Sequence, residues 1–237
     1  PRNRILSARG VRPPLKPGQE FHPSSGTGVL AVPGENSHTV AAGIAALVNH
    51  GVVEETNQYI GLKGFNLEEH FRHLVPIPMT VGNDMDFLTM GCWAQKHPDA
   101  GSLVTLFMGG NGIGGGMVIN GRLWTGASGY CSEVGFLPVY ERLNKGSLGL
   151  PPAEHISELY ARLIQVYAVT VNPHMMVLYR HPLLEGRLDE IRRLCASYLP
   201  SKAIPSIELS YDYQQDYEKG LFTVAKSLEQ AVSEGGL

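Results

Sequence analysis

The chain has few cysteines, no long apolar run and no dominant charge. Its 237 residues hold only Cys92, Cys131 and Cys195. An odd number at such wide spacing argues against a disulfide framework and against a thiolate zinc site. No apolar run reaches membrane-spanning length and no signal-peptide pattern opens the chain, so a soluble, cytoplasmic protein without a membrane partner is expected. The net charge of −3 gives no global attraction for nucleic acid. Hydrophobic residues make up 43% of the sequence, enough to fill the core of one large or two small domains.

Glycine, by contrast, is abundant and concentrated. Residues 103–108, apolar but for Thr105, are a run suited to a strand buried on both faces. The run leads into Gly109, Gly110, Asn111, Gly112, Ile113, Gly114, Gly115 and Gly116, six glycines in eight positions. Without Cβ atoms this stretch admits positive φ and lets backbone N–H groups approach an anion. A phosphate cradle and a tight structural turn both fit. Residues 117–120 resume a strand, Asn120-Gly121 signals a two-residue hairpin, and 122–125 returns. No Lys-Ser or Lys-Thr and no helix follow the glycines, which excludes a Walker loop. The pattern is not a dinucleotide fingerprint either.

Two carboxylates flank this stretch. Asn83 and Asp84 stand between a strand-like run, 75–81, and a helix expected over 85–95. Either residue can cap that helix. The carboxyl end of a strand is also where open α/β sheets bind ligands, and an Asp there can accept a proton from a sugar hydroxyl. Glu133, in a Gly- and Ser-rich segment, can hydrogen-bond a polyol or simply be a solvated loop carboxylate.

Together these segments resemble the ROK family (repressors, open reading frames and kinases) of the sugar-kinase, heat-shock-protein and actin superfamily. Its Asn-Asp-Ala-Asn motif is matched by Asn83, Asp84, Met85 and Asp86, and its glycine loop by residues 108–116 with a slip near Gly110. The Asn-Gly hairpin, the Gly-Ala-Ser-Gly segment at 126–129 and Ser132-Glu133-Val134-Gly135-Phe136, in the place of the family's Gly-Glu-Ile-Gly-His, follow in order. The resemblance covers roughly residues 27–232 and is weakest before Leu62 and over 138–152. It implies an α/β chain of actin-like ATPase (ribonuclease H-like) domains, the N-terminal one incomplete. It also implies Asp84 as the catalytic base and Asn83, Asp84 and Glu133 at a sugar. The segment 62–67 resembles the family's Gly-Trp stretch and adds Asn66 as a lesser contact. Gly110, Gly112, Gly114 and Gly115 would face the ATP phosphates.

Departures from the family are concentrated on the nucleotide side. The Asp-Ile-Gly-Gly-Thr phosphate hairpin has no counterpart. The glycines expected against adenosine are replaced by Tyr179, Arg180, His181 and Pro182. The zinc-binding cysteine segment is missing from 138–152, so zinc is not expected. The motif's His is Phe136, which removes a polar sugar contact. The expectation is therefore a sugar-binding sensor domain of a transcriptional regulator of carbohydrate metabolism, with ATP use weakened or absent. The alternative is an ATP- and magnesium-dependent hexose or amino-sugar kinase with Asp84 as base. A third reading is a relic that binds neither ligand and serves as an assembly surface. The resemblance implies a homodimer, and DNA contact only through an upstream winged helix absent from this chain.

The remaining chain is read as a flexible basic arm over 1–23, a partial N-terminal α/β domain over 24–98 and a C-terminal α/β domain over 99–237. A strand is expected at 27–33, and a helix at 41–49, capped by Asn36 or Ser37 and ending at Gly51. Further helices are expected at 156–171, 183–199 and 216–232, with strands at 174–179 and 204–210. His70 and His73 share a helix at metal-compatible spacing, but with no third ligand in sight they read as surface residues.

Overall fold

The computed structural model describes residues 4–7, 29–32, 39–57, 59–74, 77–110, 112–143 and 151–234. In chain order the strands and helices are β1 (Arg4–Ser7), β2 (Val29–Val32), β3 (Val40–Ile44), β4 (Leu47–Asn49), β5 (Val52–Glu55), α1 (Leu67–Leu74), β6 (Met79–Asn83) and α2 (Asp84–Lys96). They continue as β7 (Ser102–Gly109), β8 (Gly112–Ile119), β9 (Arg122–Leu123), α3 (Pro138–Leu143), α4 (Ile156–Thr170), β10 (Met175–Tyr179), α5 (Leu188–Tyr198), β11 (Ser206–Ser210) and α6 (Tyr213–Ser233). The chain forms two compact units: the first holds the described residues up to Gln95, Ala127–Gly129 and those from Gln214 onward, and the second holds Lys96–Gly126 and Tyr130–Tyr213. The C-terminal helix thus belongs, but for its first residue, with the N-terminal residues.

In the first unit, β1-β2-β3-β6 form a sheet in that order, with β3 and β6 parallel and the other pairs antiparallel. Strand β1 falls within the stretch expected to be a flexible arm; the rest of that stretch, and the residues expected to cap a helix at 36 or 37, lie outside the described residues. The helix expected over 41–49 is instead β3 and β4. Its alanines favour a helix locally, yet Val40, Ala41 and Ala42 are buried in the sheet between β2 and β6, and tertiary pairing overrides propensity. Gly51 has a φ of +77° and His50 one of +48° because they form the two-residue turn joining β4 to β5. A glycine that ends a helix and one that turns a hairpin look alike in sequence.

Helices α2 and α6 meet at glycines. A Cβ on Gly91 would lie 1.7 Å from the Asp216 carbonyl oxygen, and one on Gly220 the same distance from that of Phe87. Only hydrogen at these two positions allows the backbones so close. The buried Thr39 hydroxyl donates to the Ala225 carbonyl at 2.9 Å and ties α6 to the start of β3.

The second unit is built on a five-stranded sheet in the order β11-β10-β7-β8-β9. Strands β11, β10 and β7 are parallel, while β8 and β9 are added antiparallel. The apolar run in β7 is central, as its two-sided burial requires. Helix α4 buries Ile156, Leu159, Tyr160, Leu163, Ile164 and Tyr167 at helical spacing into a core shared with Leu106, Met108, Met176 and Leu178. Helix α5 packs beside it, with the Arg162 guanidinium 3.6 Å from the centre of the Tyr198 ring. The expected strand–helix order of this half is observed, with ends shifted by up to five residues.

Candidate functional site

The polar residues singled out in the sequence are divided between the two units. In the first, β6 ends at Asn83 and α2 begins at Asp84. The change of period is abrupt: alternating burial along β6 gives way to a helix whose Met85, Phe87, Leu88, Met90 and Cys92 are buried. Both residues are half-buried. The Asn83 side-chain oxygen accepts from the Met85 backbone N–H at 2.7 Å, so Asn83 makes a capping hydrogen bond at this helix start. Asp84 is the first helical residue.

Asp84 has the electrostatics of a proton acceptor. Burial raises its carboxyl to about 6, although the backbone N–H groups of Met85 and of Asp84 itself pull the other way. A carboxylate at that level is mostly ionised at neutral pH yet basic enough to receive a proton. Tyr59, half-buried, lies within the field of this acid: its hydroxyl is raised first by burial and then by the charge of Asp84. Sequence reasoning missed Tyr59, which precedes a single 3-10 turn, Ile60–Leu62, and belongs to no motif.

Asn66 is committed to the backbone. Its side-chain oxygen accepts from the Glu69 N–H at 2.9 Å, which makes it the N-cap of α1, and the N–H of Leu67 donates to the Gly51 carbonyl. His70 and His73 lie on that helix, where the ring of His70 packs between Phe65 and Phe71. Among the described residues, no group of three or more His, Cys, Asp and Glu is arranged to hold a metal ion.

In the second unit the glycine stretch is mostly strand. Gly109 pairs with Gly112 across a two-residue turn that contains Gly110; Asn111 lies outside the described residues. Gly114 and Gly115 pair with Phe107 and Leu106 inside β8. Gly110 is open to solvent, and a Cβ there would meet nothing within 4 Å. Gly112 has a φ of +128°, which disfavours any other residue. At Gly115 a Cβ would lie 2.9 Å from the Ser132 carbonyl oxygen and 3.1 Å from the Tyr167 hydroxyl, so this glycine admits the Ser132 segment against the sheet. The Asn120-Gly121 hairpin is present, with φ of +50° and +72°.

Glu133 lies on that Ser132 segment. Its N–H donates to the Tyr130 carbonyl at 3.4 Å, and its own carbonyl accepts from the Phe136 N–H at 3.1 Å. The Tyr167 hydroxyl is pushed up to about 12 by burial, with smaller contributions from Cys131 and Glu133, opposed by its hydrogen bond to Ser132.

The carboxyl edge of the parallel strands is crowded. The Phe107 ring centre lies 4.5 Å from that of Tyr213 and 6.4 Å from that of Tyr179, and the Tyr179 and Tyr213 centres are 6.0 Å apart. The cations at this edge have internal partners. Lys96 Nζ is 3.1 Å from Asp212 and donates to the Ser210 hydroxyl, and Arg180 Nε donates to Glu185 at 2.8 Å. The His181 ring accepts from the Leu183 N–H.

The ordered motifs and this two-unit α/β architecture have counterparts among known proteins. A family profile described as the ROK family matches residues 31–151, just over half of the chain. The chain belongs to the ROK family. Its fold is that of the actin-like ATPases, as in other ROK proteins. The Lmo2764 protein of Listeria monocytogenes superposes with a TM-score of 0.64 at 16% identity, covering 81% of each chain. A ROK family transcriptional regulator, a homologue of the E. coli MLC protein, superposes with a TM-score of 0.63 at 17% identity over 83% of this chain and 64% of the other. In sequence, a glucokinase of Halalkalibacterium halodurans is 30% identical over 80 residues, 34% of this chain. That match spans 24% of the glucokinase's length. No helix among the described residues of this ROK chain is long and apolar enough to cross a membrane.

Proposed function

We propose that this ROK chain is a sugar-binding sensor, part of a regulator of carbohydrate metabolism, in which the use of ATP is weakened or lost. The supporting observation is the carboxyl edge of the second unit. Open α/β sheets bind ligands at such an edge. Here the rings of Phe107, Tyr179 and Tyr213 pack against one another, two of the three pairs edge-on, and Lys96 and Arg180 are already matched with Asp212 and Glu185. An adenine nucleotide at that edge needs small residues beneath it and cations not already matched; these residues do not fit it. By contrast Asn83 and Asp84, the polar pair at the end of β6, are retained. A hexose or amino sugar is the expected ligand, with Asn83 and Asp84 as contacts. The cap bond of Asn66 leaves that residue a smaller part than its position in the sequence suggests.

A second reading has its own support. The carboxyl of Asp84, raised to about 6 by burial, suits a general base that takes the proton from a sugar hydroxyl as its oxygen attacks the terminal phosphorus of ATP. Calorimetry with glucose, mannose and their 2-acetamido forms, with and without magnesium ATP, separates the two, combined with an assay for ADP. Sugar heat without ATP heat or ADP release is the result expected of the sensor. Sugar-dependent ADP release that disappears in Asp84→Ala establishes the kinase. Silence toward every sugar removes both.

A further inference from the structure

We infer that the Tyr167 hydroxyl is a positioning group for Glu133: it holds Ser132 in the left-handed region and so fixes the turn from which the Glu133 carboxylate meets a sugar. The inference rests on the sensor reading for its ligand, with Glu133 as one of the contacts.

The backbone sets the problem. The N–H of Glu133 donates to the Tyr130 carbonyl across a turn whose two central residues are Cys131 and Ser132, and of these only Ser132 has a positive φ, +67°. That is the sign pattern of a type II turn, which favours glycine at its third position. Glu133 has a φ of −73° and a ψ of +76°, and the Val134 N–H donates to the Ser132 carbonyl at 2.9 Å. Glu133 is therefore the central residue of an inverse γ-turn. Two tight turns in succession set the direction of its Cα–Cβ bond, and the first is strained because a side chain occupies the glycine position. Such a conformation persists only where its surroundings over-determine it.

Tyr167 supplies the restraint. Its ring fills the core that α4 shares with the sheet, a role phenylalanine would serve as well, while its hydroxyl is hydrogen-bonded to Ser132. A buried hydroxyl costs stability unless it is bonded, so this one favours the conformation that keeps Ser132 within reach. Strand β8 makes room for both groups at one point: a Cβ on Gly115 would lie 2.9 Å from the Ser132 carbonyl oxygen and 3.1 Å from the Tyr167 hydroxyl. On the other side of Glu133 in the chain, buried Val134 anchors the segment. The carboxylate thus stands between a hydrogen-bonded residue and a packed one.

The test uses the whole chain and three variants: Tyr167→Phe, Ser132→Gly and the two combined. Amide exchange is followed by NMR at Val134 and Phe136, whose N–H groups close the turns around Glu133. Calorimetry with glucose and N-acetylglucosamine measures binding. Tyr167→Phe should speed exchange at both amides and weaken sugar binding, each by about fivefold, the scale of one net hydrogen bond. Ser132→Gly, which reaches the positive φ without strain, should stay within about twofold of the parent on both measures. Combined with Tyr167→Phe it should restore both, because glycine does not need the latch. A tyrosine with only a packing role would lower the melting temperature without this rescue. Unchanged exchange or unchanged affinity in Tyr167→Phe, or losses that Ser132→Gly does not reverse, overturn the positioning role and leave the sensor reading standing. No binding of any sugar by the parent removes both.

Discussion

Replacing Asp84 by Asn should make the protein more stable at neutral pH, and the gain should vanish in acid. Burial holds this carboxyl at about 6 in the folded chain, against an ordinary value of 3.8. Between those values the folded state binds more protons than the unfolded state, so stability falls as pH rises from about 4 to about 6. Above about 6 the folded chain carries the full cost of a desolvated charge. Two units at about 1.4 kcal/mol each give about 3 kcal/mol, and partial exposure of the residue lowers this to about 2 to 3 kcal/mol. Asn keeps the shape and removes the charge. Urea unfolding of the parent and Asp84→Asn at half-unit steps from pH 4 to 8 measures the difference. Any constant effect of the new amide shifts all points together, so the pH dependence isolates the carboxyl. The stability difference, Asn variant minus parent, should rise by about 2 to 3 kcal/mol across pH 4 to 6.5 and then level off. A flat difference, or one that grows toward acid, would refute the desolvated acid and with it the suitability of Asp84 as a base.

Other expectations follow from single contacts. Gly91→Ala and Gly220→Ala place a methyl group 1.7 Å from a facing carbonyl oxygen and should each cost about 3 kcal/mol or more, seen as a large loss of melting temperature or of soluble protein. Asn66→Ala removes the cap of α1 and should cost about 1 kcal/mol in chemical denaturation, whereas Asn66→Asp should be nearly neutral. Of the three cysteines, Cys92 and Cys195 are fully buried, and burial pushes the Cys195 thiol up to about 11; Ellman's reagent should therefore modify half-buried Cys131 first in the native protein and all three only after unfolding.

The sequence alone determined the family motifs, the apolar β7, the Asn120-Gly121 hairpin and the helices that follow Pro152. Each is a local signal, a period of burial or a turn residue with a required φ, and needs no distant partner. It also placed a helix start within one residue, expected at Met85 and found at Asp84, because the end of a strand, an Asn-Asp pair and an apolar helical pattern fall together. Tertiary structure decided the rest. Residues 41–49 became strands because burial in a sheet outweighed the helix preference of alanine. Most of the glycine stretch became β8, with Gly115 reserved for the Ser132 segment, a neighbour that lies seventeen positions away in sequence. The raised carboxyl of Asp84 and its influence on Tyr59 depend on desolvation by side chains that only folding assembles. Chain order can name an acid, but its strength is set by how much water the folded protein leaves around it.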